Sequence, residues 1–153
     1  MNIFDLIQTH NLSDLKQIAA HPEPFHVEQF GIDTLNDLNE IFADLDLINK
    51  LGGYQSAKSV YKSMAAIYPG FDLKNSQYSE IEFIAGNDQI SLAQLQQALL
   101  NYRRYYGTYE PGDFIIYESE IIQYPPPDES ILFRHATKAE LSTAQPYQAQ
   151  QVQ

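Results

Sequence analysis

Apolar residues recur at helical spacing over the first part of the chain and switch to a mixed pattern after it. Ile3, Phe4, Leu6 and Ile7, then Leu12, Leu15, Ile18 and Ala19, follow the helical period and predict two short helices, the second capped by Asn11 or Ser13. HPEPF at 21–25 predicts a loop, because neither proline donates a backbone hydrogen bond and each pushes its predecessor toward extended geometry. A longer helix is expected from about Thr34 to Lys50, ended by Gly52 and Gly53. Another is expected from Ser56 to Tyr68, ended by Pro69 and Gly70.

Beyond Tyr78 the period shortens. SEIEFIA alternates as a strand does, and AGND at 85–88 is rich in turn formers. Ser91 then caps a helix whose Leu92, Leu95, Leu99, Tyr102 and Tyr106 form one apolar stripe down to Gly107. EPGD at 110–113 puts Pro and Gly at the central positions of a type II turn. The β-branched and aromatic run FIIYESEIIQY after it predicts strands. PPP at 125–127 interrupts the hydrogen-bonding pattern, and ILFRH at 131–135 reads as a further strand. Together these elements predict an α+β fold in one domain over residues 1–143. The helical N-terminal half packs on a small, mostly antiparallel sheet from the C-terminal half, and a glutamine-rich tail over 144–153 is expected to fray.

Composition supports a folded chain. A domain of 153 residues buries roughly two-thirds of its unfolded surface, and 44% hydrophobic residues with 11 Tyr and 8 Phe supply a core despite a net charge of -11. Zero cysteines exclude a disulfide framework, a thiolate nucleophile and thiolate metal ligation. MNIFDLIQTH has no basic n-region, and apolar runs such as Met64 to Tyr68 fall far short of the roughly 18 residues of a membrane span. The expected location is cytoplasmic.

Charge changes the picture most. From Gln17 to Asn49 there are seven acids (Glu23, Glu28, Asp33, Asp37, Glu40, Asp44, Asp46) and no Lys or Arg. From Tyr105 to Phe133 there are six (Glu110, Asp113, Glu118, Glu120, Asp128, Glu129), again with no Lys or Arg. The rest of the chain holds 7 acids against all 9 basic residues, so the acidity is regional. Asp33, Asp37, Glu40 and Asp44 are spaced so that a helix places them in one narrow sector, with Leu35, Leu38, Phe42 and Leu45 roughly opposite. Leu47, Ile48 and Ile41 project near that ridge and predict an edge of exposed aliphatic side chains beside it.

Two plainer explanations compete. A charge run on an amphipathic helix is usually its solvated face, and Thr34 with Asp37 fits a capping box that leaves Asp33 just outside the helix. The capping box does not account for Glu40 and Asp44, whose like charges at helical spacing have no lysine interleaved. In the second stretch, Glu118 and Glu120 would share one face of a strand near Tyr105, Tyr106, Tyr109, Phe114, Tyr117 and Tyr124. Tyrosine beside carboxylate suits a contact with Arg or Lys. The alternative is that the aromatics belong to the core and the glutamates mark a strand's wet face.

Catalytic and metal patterns are weak. Gly52-Gly53 and Gly107 to Gly112 lack the spacing and the lysine of a phosphate-binding loop, and a calcium loop from Asp44 fails at Asn49 and Gln55. His21, Glu23 and His26 are separated by prolines that prevent a helical ligand pair, and His135 with Glu140 is an unremarkable coincidence of types. No cofactor is implied. Lys58 and Lys62 share a helix face, while Arg103 and Arg104 close another helix, where they complement its dipole.

The expectation is therefore an acidic interaction protein, not an enzyme, that binds and neutralises a basic protein, as an immunity protein or toxin inhibitor does. Its binding residues would be Asp37, Glu40, Asp44, Leu47, Glu118 and Glu120. Direct binding of nucleic acid or membrane is disfavoured by charge. One alternative is a nucleic-acid mimic. The ridge places about one charge per 5 Å of helix against one per about 1.7 Å of duplex axis, so mimicry would need both acidic stretches on one face. The other alternative is a small enzyme or ligand-binding domain, which a pocket with convergent titratable groups would reveal.

Overall fold

A computed structural model describes residues 2–67, 82–85 and 88–143. The expected stop at Pro69 and Gly70, the middle of the AGND turn and the glutamine-rich tail lie outside the described residues. The chain forms an α+β fold and divides into two compact units. One comprises residues 1–38 with 104–153, the other residues 39–103.

The first unit opens with α1 (Ile3–Thr9) and α2 (Leu12–Ala20). Asn2 and Asp5 cap α1 reciprocally, and Asn11 caps α2 by accepting the Asp14 N–H at 2.8 Å. The expected loop at 21–25 is shorter than predicted, because Pro24 is the first residue of a further helix, α3 (Pro24–Phe30). Proline suits that position, where its missing N–H would have no intrahelical partner anyway. Helix α4 (Ile32–Lys50) begins two residues earlier than predicted, so Asp33 lies in its first turn, not outside the helix.

The unit's C-terminal part is a three-stranded antiparallel sheet in the order β4-β3-β5. Here β3 is Phe114–Tyr117, β4 is Glu120–Gln123 and β5 is Phe133–His135. It starts from the turn at 110–113. The Asp113 N–H reaches the Glu110 carbonyl at 3.0 Å, and Gly112 adopts φ 96°, which the third position of a type II turn demands. Along β3, Ile115 and Tyr117 are buried and alternate with half-buried Phe114 and Ile116. Phe4 of α1 joins helices to sheet, with its ring centroid 6.4 Å from that of His135 and the guanidinium groups of Arg134 and Arg104 at 5.9 and 5.8 Å. A further helix, α7, covers residues 138–143 among the described residues.

The second unit holds the rest of α4, α5 (Tyr54–Ile67), the antiparallel pair β1 (Glu82–Ala85) and β2 (Asp88–Ser91), and α6 (Leu92–Tyr106) up to Arg103. Ser91 caps α6 as expected, its hydroxyl accepting the Gln94 N–H at 3.0 Å. Leu47, Ile48, Ala57, Ile90, Leu95, Ala98 and Leu99 form the core. The predicted stripe on α6 holds from Leu92 to Leu99, with Tyr102 half-buried against that core. It ends there, since Tyr106 is exposed. Among the described residues no helix is long and apolar enough to cross a membrane.

Candidate interaction surface

The predicted ridge on α4 does not stand as one exposed row. Asp37 is buried, and its two oxygens accept from the Arg104 guanidinium at 3.1 and 2.8 Å, a bidentate pair. Lys138 approaches the same carboxylate at 3.7 Å. Asp37 therefore neutralises a buried cation instead of closing a capping box. Arg104, expected as a helix-end charge, is committed to a side-chain partner 67 residues away. Its neighbour Arg103 donates to the Tyr54 hydroxyl at 3.2 Å.

Farther along α4, Asp44 is half-buried and accepts from the amide of fully buried Asn101 at 2.6 Å. Leu47, Ile48 and Ile41, expected as an exposed aliphatic edge, are all buried. The apolar face of α4 is broader than a single stripe: Leu35, Leu38, Ile41, Phe42, Leu45, Leu47 and Ile48 are all inside. Acids at its margins, Asp37 and Asp44, are drawn into internal hydrogen bonds. Asp33 and Glu40 remain exposed.

Glu118 and Glu120 do not share a strand face. Tyr117 pairs with Glu120 across a two-residue turn in which Glu118 (φ 49°) and Ser119 (φ 68°) both adopt positive φ, the pattern of a type I′ hairpin. Both glutamates are exposed, one at the turn and one on the edge strand β4. The aromatics divide as well. Tyr117 is buried, while Tyr109 stacks on His135 (centroids 4.4 Å apart, 16° between planes) and on Tyr124 (5.3 Å, 14°). Burial, with the neighbouring Tyr124 adding to it, holds the Tyr109 phenol above its ordinary pKa. His135 is itself buried, and its Nε2 lies 2.6 Å from the Thr108 carbonyl oxygen, which requires the proton on that nitrogen.

Glu140, considered in sequence only beside His135, has a different role. Its carboxylate accepts from the Arg134 guanidinium at 2.8 and 2.9 Å and from the Thr137 N–H at 2.9 Å, while the Thr137 hydroxyl accepts the Glu140 N–H at 3.1 Å. Thr137-Lys-Ala-Glu140 is thus a capping box for α7, and its T-x-x-E spacing is legible in the residues themselves. The Arg134 hydrogen bonds, with those from Thr137, hold Glu140 at a pKa of about 2.

Further exposed acids lie in and around α3, where Glu23 is the N-cap residue of a capping box with His26. Glu23, Glu28 and Asp33 are exposed beside exposed Phe25, Val27 and Ile32. Among the described residues no group of three or more His, Asp or Glu is arranged to hold a metal ion, and the His26 Nδ1 accepts the Glu23 N–H at 3.0 Å. Comparison with protein-family models, with curated proteins and with solved structures gives no match.

Proposed function

We propose that this chain is an acidic interaction protein that binds and neutralises a basic protein partner, in the manner of an immunity protein or toxin inhibitor. The observation that carries the reading is regional charge that stays at the surface. Two stretches of chain contain no Lys or Arg, and Glu23, Glu28, Asp33, Glu40, Glu118, Glu120, Asp128 and Glu129 in them are exposed. Asp37 and Asp44, by contrast, are buried or half-buried and accept hydrogen bonds from Arg104 and Asn101. An acidic field of this kind raises the encounter rate with cationic proteins and repels nucleic acid and anionic lipid.

The test is affinity capture from the native host at low and at high salt, with the recovered proteins ranked by isoelectric point. A basic protein that is captured at low salt and lost at high salt supports the reading. It should bind the Glu40→Lys/Glu118→Lys variant about tenfold more weakly, the scale of one or two lost charge pairs. Recovery of no basic protein at low salt would count against it. Asp37 and Asp44 are left untouched in that variant because reversing them would disturb the fold.

A further inference from the structure

Helix α3 is held by its Glu23–His26 capping box, by Pro24 at its start and by half-buried Phe30 edge-on to His10, yet the rest of its apolar side chains face out. None of its seven residues is buried, Phe25 is 59% exposed and Val27 36%, and Ile32, just beyond the break at Gly31, is 51% exposed. Helices this short are marginal in water and normally depend on an apolar face packed against something. Phe25 and Glu28 lie three residues apart, on neighbouring positions of one side of α3. Among the described residues Glu23, Glu28 and Asp33 form no ion pair.

We infer that residues 23–33 are a docking surface for a cationic protein whose contact face sets Arg or Lys beside an apolar pocket. Phe25 fills the pocket, and Glu28 and Asp33 take the cations. The inference rests on the proposed function and narrows it to one segment. Charge complementarity selects the occupant. No Lys or Arg occurs from Gln17 to Asn49, so a second copy in a two-fold contact would set the same acids against themselves, and an anionic lipid surface would be repelled. Arginine and aromatic residues are enriched at interfaces, arginine grips carboxylates bidentately, and an aromatic anchor inside a polar rim is a common interface anatomy. Phe25 is also partly held in place. Its ring sits 4.0 Å, centroid to centroid, from that of His26, which is itself fixed by the Glu23 N–H, so less ordering entropy is lost on binding.

The test uses the full-length ¹⁵N-labelled chain and two probes at low salt, octa-arginine and a helical peptide of about five turns with Arg along one side and Leu along the other. The helical peptide is expected to bind about tenfold or more tightly than octa-arginine, with its largest amide shifts in residues 23–33. Phe25→Ser and Ile32→Ser, both at exposed positions and checked for unchanged circular dichroism, should each weaken it about fivefold or more while moving octa-arginine affinity less than about twofold. Shifts centred elsewhere, or affinity untouched by both variants, would overturn the docking surface and leave the acidic-interaction reading standing. Failure of both probes to bind would overturn both. A wild-type dimer in sedimentation that Phe25→Ser dissolves would assign the patch to a second copy and overturn the cationic occupant.

Discussion

Replacing Asp37 with Asn tests whether this carboxylate is structural. The pair it forms with Arg104 is almost dry, with side-chain exposures of 9% and 4%, and both carboxylate oxygens are used. Asn keeps the volume but removes the charge and turns an amide donor toward the guanidinium, so the buried cation loses its bidentate carboxylate. Breaking a buried pair in this way costs about 3–5 kcal/mol. The lower end is expected here, because the Phe4 ring 5.8 Å from the guanidinium carbon retains part of the support for Arg104. A loss of about 3 kcal/mol is roughly a hundredfold in the folding equilibrium and a large part of the stability of a chain this size. Urea unfolding followed by far-ultraviolet circular dichroism reads it directly. Lys138→Ala is the internal control. Lys138 stands 3.7 Å from the same carboxylate but is 46% exposed, so its removal should cost less than about 1 kcal/mol. Replacing both partners, Asp37→Leu with Arg104→Met, should recover much of the loss, since an apolar pair carries no buried charge. A loss below about 1 kcal/mol for Asp37→Asn would refute the reasoning and return Asp37 to the candidates for partner binding.

Three further outcomes are expected. Glu140 is held at about 2 against an ordinary 4.5, so its contribution is fully present above that ordinary value and is lost as pH falls through about 2. The Arg134–Glu140 pair is about a third exposed on both sides, and solvent screening reduces the contribution to about 1 kcal/mol. Glu140→Gln should therefore lower stability by that amount at pH 7 and converge with the wild type near pH 2 in acid unfolding curves. Tyr109 should ionise above the ordinary tyrosine value in an ultraviolet alkaline titration. The stability gained from its neutral phenol is present below the ordinary pKa and lost as pH rises through the raised one, and Tyr109→Phe should remove one phenol from the late part of the titration, to which Tyr105 and Tyr117 also contribute. At the β3–β4 turn, Glu118→Asn with Ser119→Gly should raise the melting temperature by an amount equivalent to about 1 kcal/mol, because those residues accept positive φ at less cost. No gain would argue against the type I′ geometry.

Where a pattern depends only on neighbours in the chain, the residues announce it. The Ser91 cap, the Pro111-Gly112 turn and the helical spacing of α1, α2 and α6 depend on backbone geometry and side chains a few positions away, and all appear where the spacing predicts them. Pro24 reads as a stop in the sequence yet starts a helix, because a proline that breaks a helix interior is welcome at a helix start, and the two cases differ only in the residues after it. The candidate site was less legible. Charge segregation could be counted, but which acids face water depended on partners remote in sequence. Asp37 is taken by Arg104, Asp44 by Asn101, and Leu47 enters a core whose breadth around α4 no periodicity of that helix alone reveals. Glu118 left its strand because the chain reverses there with two positive φ angles, which the residue types Glu and Ser do not advertise. Sequence alone thus determined that the chain is acidic in two stretches. Tertiary structure decided which of those acids remain outside, because the free energy of burying a charge depends on what the fold brings opposite it.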